Sequence, residues 1–321
     1  MSALVDGRIS ELFRGVDHVG VGVVDMEAAL EWFSSSLGFS RVLFDYTGEL
    51  PGLEELTQRR RTRARVAMLA SRNATSLGPG RIKLVQVLEE GGTPPIPGDA
   101  GWGELGICEV CVHAHDVVAV HKELVEARGC GELMVPVSAQ VTPFGVDVDL
   151  SYVADPGGGK VEVLEWTGLR RALPGEPRLE GVNHVAFGVS DMTATREFYG
   201  SLGFVHLVLE SDGYFEPMRP WYPREMPRQH MILALPAQGA GIEPVRLHPE
   251  TLDRRGEWGH RGPMEFAIGV SNLDRAYLQL RQAGVQFHGE PQLLDVGVGE
   301  WRYAYFADPD GLYVSLVEAR Y

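Results

Sequence analysis

Between Val16 and Val23 the chain alternates between two kinds of position. Val19, Val21 and Val23 stand on one face of an extended strand, and His18, Gly20 and Gly22 stand on the other. The pattern returns 166 positions later. Val185, Phe187 and Val189 form an apolar face, and His184, Ala186 and Gly188 form its reverse. Each strand leads to an Asp suited to cap a helix (Asp25, Asp191) and then to an amphipathic run closing on Leu-Gly-Phe, whose Gly suits a helix C-cap. Two further pairs align. GWGELGICEVCV (Gly101 to Val112) matches EWGHRGPMEFAI (Glu257 to Ile268), each followed by a second helical pattern. YVADPGGGKVEVLEW (Tyr152 to Trp166) matches YFADPDGLYVSLVEA (Tyr305 to Ala319), each an Asp-Pro turn entering a strand.

Each half of the chain therefore contains two strand–helix–strands units, and the whole contains four. Modules are expected at about 16–90 and 104–166 in an N-terminal domain, 1–170, and at about 182–250 and 262–319 in a C-terminal domain, 182–321. A Pro-, Gly- and charge-rich linker is expected at 171–181. The loops EEGGTPPIPGDAGWG and DGYFEPMRPWYPREMPRQ fall between strands and are long enough to carry function.

Composition narrows the function. The chain of 321 residues is 44% hydrophobic and 23% charged, as ordinary globular proteins are. Its net charge of −15 opposes a nucleic-acid partner. No stretch has the length and apolarity of a membrane span, and the first residues lack the apolar run of a signal peptide. Three cysteines give no disulfide framework and suit a reducing cytoplasm. The expected partner is a small molecule; self-association is left open.

A unit that opens with His-Val-x-x-x-Val-x-Asp and ends with Asp-Pro-x-Gly-x-x-Val-Glu-Val resembles the βαβββ module of the vicinal oxygen chelate superfamily. Glyoxalase I, the bleomycin resistance proteins and the extradiol dioxygenases belong to it, and the resemblance runs from Val16 to Ala319. It implies an α+β fold of four modules in two tandem incomplete β-barrels, with helices outside.

Strand alternation points a short set of polar side chains into the expected clefts: His18, Lys83, Glu109 and Glu162 in the first half, and His184, Glu243, Glu265 and Ser315 in the second. The resemblance implies one divalent metal, Fe(II), Mn(II), Ni(II) or Zn(II), in each competent domain. Its ligands would be His18, Glu109 and Glu162 in the first half and His184, Glu243 and Glu265 in the second. Glu109 and Glu162 double as catalytic groups. Lys83, Trp221 and Tyr222 are expected to contact substrate.

Two departures from the family pattern stand out. Glu109 and Glu265 occupy positions where extradiol enzymes place a second His, and Ser315 replaces the last carboxylate of the second half. The expected function is a metal-dependent isomerase, epimerase or lyase acting on a small carbonyl- or hydroxyl-bearing substrate with a Glu base. An Fe(II) ring-cleaving dioxygenase and a non-catalytic binding or resistance protein are the alternatives. Other motifs read more blandly. Cys108 and Cys111 point to opposite strand faces and suit packing; His113 and His115 read as surface histidines at a strand end; the Arg-rich run from Gln58 reads as a solvated face or an anion-binding rim.

Overall fold

The computed structural model describes residues 11–58, 61–96, 102–141, 146–167, 178–222 and 225–320. Most of the expected linker, 171–177, lies outside the described residues, and Leu179 already belongs to a strand.

Each module contributes four strands and an early helix. The first holds β1 (Phe13–Gly22), β2 (Arg41–Glu49), β3 (Arg63–Ala70) and β4 (Arg81–Val87). The second holds β5 (Gly106–Ala114), β6 (Gly131–Val141), β7 (Val146–Ala154) and β8 (Lys160–Thr167). The third holds β9 (Leu179–Gly188), β10 (His206–Gly213), β11 (Arg228–Leu235) and β12 (Gly241–His248). The fourth holds β13 (Gly262–Val270), β14 (Gln292–Asp295), β15 (Glu300–Ala307) and β16 (Tyr313–Arg320). Every module helix opens on an Asx cap: Asp25, Asp116, Asp191 and Asn272 each accept a backbone N–H from the first turn.

The modules make two curled eight-stranded sheets, but they do not pair by sequence halves. One sheet runs β14-β15-β16-β13-β1-β4-β3-β2, joining the first module to the fourth. The other runs β10-β11-β12-β9-β5-β8-β7-β6, joining the second to the third. The expected barrel per half is thus corrected. Every module presents the same opening strand, so alternation along one strand cannot say which other strand it meets. The seam is set by local fit. A Cβ at Gly22 would lie 1.8 Å from the carbonyl oxygen of His260, and one at Gly188 would lie 2.0 Å from that of Glu104. Only glycine lets these backbones approach.

The outer faces of both sheets and the module helices share one apolar core, in which Phe187 and Phe266 stack at 5.5 Å. The inner faces remain separate, and each forms a cup with its own cluster. Among the described residues no helix is long and apolar enough to cross a membrane.

Candidate functional site

In the β5–β12 sheet the register brings four ionisable side chains to the floor of one cup. Ala186 of β9 lies between Glu109 of β5 and Glu243 of β12. One step along, Cys111 of β5 lies between His184 and Glu162 of β8. His184 Nε2 is 3.2 Å from Glu243 Oε2, 3.3 Å from Glu162 Oε2 and 3.9 Å from Glu109 Oε1. All four residues are buried.

The ring of His184 is oriented from behind. Its Nδ1 lies 2.8 Å from Asn183 Oδ1, an acceptor, so Nδ1 donates there and Nε2 is turned toward the carboxylates. Nε2, Glu109 Oε1 and Glu162 Oε2 are buried and without hydrogen-bond partners among the described residues. Trp102 Nε1 donates to the other oxygen of Glu109 at 2.6 Å. One imidazole and several carboxylates converging through unpartnered atoms fit a divalent cation. Cys111 is beside them, but burial and the Glu162 charge push its thiol up, so it stays protonated.

Without a cation the cup is electrostatically costly. Burial, then Glu162 and Glu243, raise Glu109 well above the usual carboxyl range, and burial raises Glu243. Burial alone would push His184 down, but Glu162 and Glu243 outweigh it and lift the imidazole from 6.5 to about 10. A raised folded-state pKa stabilises the protein below the unfolded value and ceases to as pH passes the folded value. The metal-free protein should therefore lose stability between pH 6.5 and about 10. Urea titrations at several pH values with a chelator present would show the decline; a flat profile would remove this account of the cup.

Above the floor opens a cavity of about 630 Å³, counted out to solvent. Its walls are mainly apolar, with Leu150, Leu164, Trp166, Met218 and Leu233 among them, and Gln140 and Ser211 add polar groups. Phe215 and Met218 come from the expected loop, where Glu216–Trp221 forms a 3₁₀ turn.

The β13–β4 cup repeats the layout with different chemistry. Gly20 lies between Glu265 and Lys83, and Ala267 lies between His18 and Ser315. Lys83 thus replaces Glu243, and Ser315 replaces Glu162. The Lys83 ammonium forms a buried ion pair with Glu265 and lies 3.0 Å from the hydroxyl of Tyr305. Trp258 Nε1 donates to Glu265 at 2.6 Å, as Trp102 does to Glu109. Burial pushes His18 down despite Asp17 at 2.9 Å, and Lys83 pushes it further, so the imidazole is neutral. Trp301 and Tyr303 stand where the other cup has Val148 and Leu150, and their rings fill the space. A fixed ammonium takes the place a cation would need.

The structure therefore redistributes the expected ligands. His18 does not meet Glu109 and Glu162; it faces Glu265, Lys83 and Ser315. His184 and Glu243 are joined by Glu109 and Glu162, not by Glu265. Lys83, expected to contact substrate, is paired with Glu265 in the filled cup. Trp221 packs edge-on against Tyr152 at 4.6 Å and donates to the Leu133 carbonyl, and Tyr222 donates to the Trp102 carbonyl, so both buttress the cavity wall from behind. Arg61 and Arg65 are paired with Glu49, Asp45 and Glu27 at the surface. Trp102 and Tyr152 were missed as site residues, although the Trp-to-Glu spacing of seven recurs at 102–109 and 258–265.

Comparison with known proteins agrees with this architecture. Glyoxalase I from Zea mays, in a singly substituted mutant form, superposes with a TM-score of 0.61 at 17% identity, over 99% of this chain and 96% of that one. A protein from Bacillus subtilis described as a candidate dioxygenase superposes with a TM-score of 0.56 at 12% identity, over 96% of this chain and 86% of the other. No curated protein sequence matches the chain. Residues 181–316 match the model of the Glyoxalase/Bleomycin resistance protein/Dioxygenase superfamily. This stretch belongs to that superfamily, and the modules before it repeat its fold.

Proposed function

We propose that the chain is a metal-dependent enzyme of the vicinal oxygen chelate type, with one working centre, in the β5–β12 cup. The observation that carries this reading is the convergence of Glu109, Glu162, His184 and Glu243 beneath an apolar cavity, the first three through unpartnered buried atoms. Glu162, His184 and Glu243 would hold the cation, and Glu109, the most distant carboxylate from His184, would serve as base. A divalent ion there supplies Lewis acidity toward neighbouring oxygens of a small substrate.

The chain's own groups do the rest. Glu109 Oε1 takes a proton from the carbon next to a substrate carbonyl and returns it at the neighbouring carbon or the same one. Trp102 fixes the other carboxylate oxygen, which leaves Oε1 on the side of His184. The apolar walls exclude water and bind the substrate's hydrocarbon or aromatic part. One imidazole among three carboxylates departs from the two-His, one-carboxylate set of oxygen-activating iron sites, which favours proton transfer over ring cleavage.

The test is turnover of α-hydroxycarbonyl compounds and thiohemiacetals in D₂O, followed by NMR. Deuterium should enter the substrate α-carbon, and Glu109→Gln should slow that entry by roughly 10²–10⁴-fold while the metal is retained. Oxygen uptake on adding a catechol to the Fe(II)-loaded protein, with no deuterium entry, would overturn the reading.

A further inference from the structure

His113 and His115, which read in the sequence as surface histidines, are buried at 1% and 3% exposure. They lie at the end of β5, against Glu180 of β9, also buried. His115 Nε2 is 3.0 Å from Glu180 Oε1, and His113 Nδ1 is 3.3 Å from Glu180 Oε2. One ligand atom from each of the three residues lies within 4.8 Å of the other two. Thr75, on the β3–β4 connection, donates its hydroxyl to Glu180 Oε2.

We infer that His113, His115 and Glu180 form a second metal site, separate from the cup, for a borderline divalent ion such as Zn(II) or Co(II).

Three observations converge on it. His113 Nε2 and His115 Nδ1 are buried without a hydrogen-bond partner among the described residues, and His113 Nδ1 has only its 3.3 Å approach to Glu180. Leaving such groups unpaired costs about 1–3 kcal/mol each, and a metal relieves that for the nitrogen it takes. The spacing is also right. Ligand atoms at about 2.0–2.1 Å from a tetrahedral ion lie roughly 3.3–3.4 Å apart, close to the nitrogen–oxygen separations seen here. The cluster is moreover single-copy. The repeat places Gly269, Ser271 and Arg14 at the corresponding points of the other sheet, so the module fold does not itself demand these residues. Two imidazoles and one carboxylate prefer transition ions to Mg(II) or Ca(II). The site is about 13 Å along β5 from Glu109, at about 3.3 Å per residue over four residues, so the two centres would fill independently. A metal here would pin β5 to β9, with Thr75 of the first module resting on its carboxylate ligand, and so tie the two sheets together.

The test is equilibrium dialysis of metal-free protein against micromolar Co(II), with cobalt counted per chain. The wild type should hold two equivalents. His113→Gln/His115→Gln should hold one, and so should the cup variant Glu162→Gln/His184→Ala. Glu180→Gln, nearly isosteric, provides a second variant should the double one fail to fold, with circular dichroism checking each. If the wild type holds one equivalent, the variant that loses it decides. Loss in the His113/His115 protein supports this site and counts against the cup, and loss in the cup variant overturns this site alone. Full retention by the His113/His115 and Glu180 variants overturns it as well, as does a wild type that holds no cobalt.

Discussion

His184→Ala should lower the metal content of the protein by one equivalent per chain, and His18→Ala should lower it by none. The two histidines open the same sequence motif, so the contrast isolates what surrounds them. His184 Nε2 sits among three carboxylates. Its removal leaves only like charges, and the affinity of that cup should fall by more than the roughly 10–100-fold that follows loss of an outer-shell partner. Asn183→Ala, which frees the His184 ring to turn, should fall within that smaller range. His18 faces an ammonium already paired with Glu265 and has no metal to lose. Elemental analysis after dialysis decides the matter, and a His18→Ala protein short of one equivalent would mean that the filled cup binds metal after all.

Lys83→Met should destabilise the protein by about 3–5 kcal/mol, because it strands the Glu265 carboxylate in a site closed to water. In a chain of this size that corresponds to a drop in Tm on the order of 10 °C. Adding Glu265→Gln should recover much of the loss, since a neutral amide can still accept from Trp258 Nε1 at little electrostatic cost. Urea unfolding of the single and double variants measures the coupling. A single variant within about 1 kcal/mol of wild type would show that Lys83 is not the counter-ion of that cup.

The modules and the side chains aimed into the cups could be read from single strands, because alternation along a strand is a local property. His18, Lys83, Glu109, Glu162, His184, Glu243, Glu265 and Ser315 all face a cup floor as alternation indicates. Their grouping could not be read, because it depends on which first-strand edges meet. That choice rests on contacts between distant segments, such as Gly188 under Glu104 and Gly22 under His260. The different chemistry of one cup was half visible: Ser315 and Lys83 were each out of pattern, but along the sequence they fall in different halves. The burial of His113 and His115 was hidden for a similar reason. Their cover comes from Glu180 on another module and from the segment around Thr75 on a third.

The pairing of inner with inner and outer with outer modules also orders the assembly of the molecule. All eight strands of the β5–β12 cup lie between residues 106 and 248, so during synthesis that sheet has every strand it needs before the fourth module leaves the ribosome. β1 cannot find β13 until some 240 further residues have been made, beyond Gly22 and up to Gly262. Closing a connection that long is slow, so the first module spends synthesis with its opening edge unpaired. The ammonium-filled cup is thus the last to close. Its ion pair between Lys83 and Glu265 links the first module to the fourth and forms only after the fourth has been made.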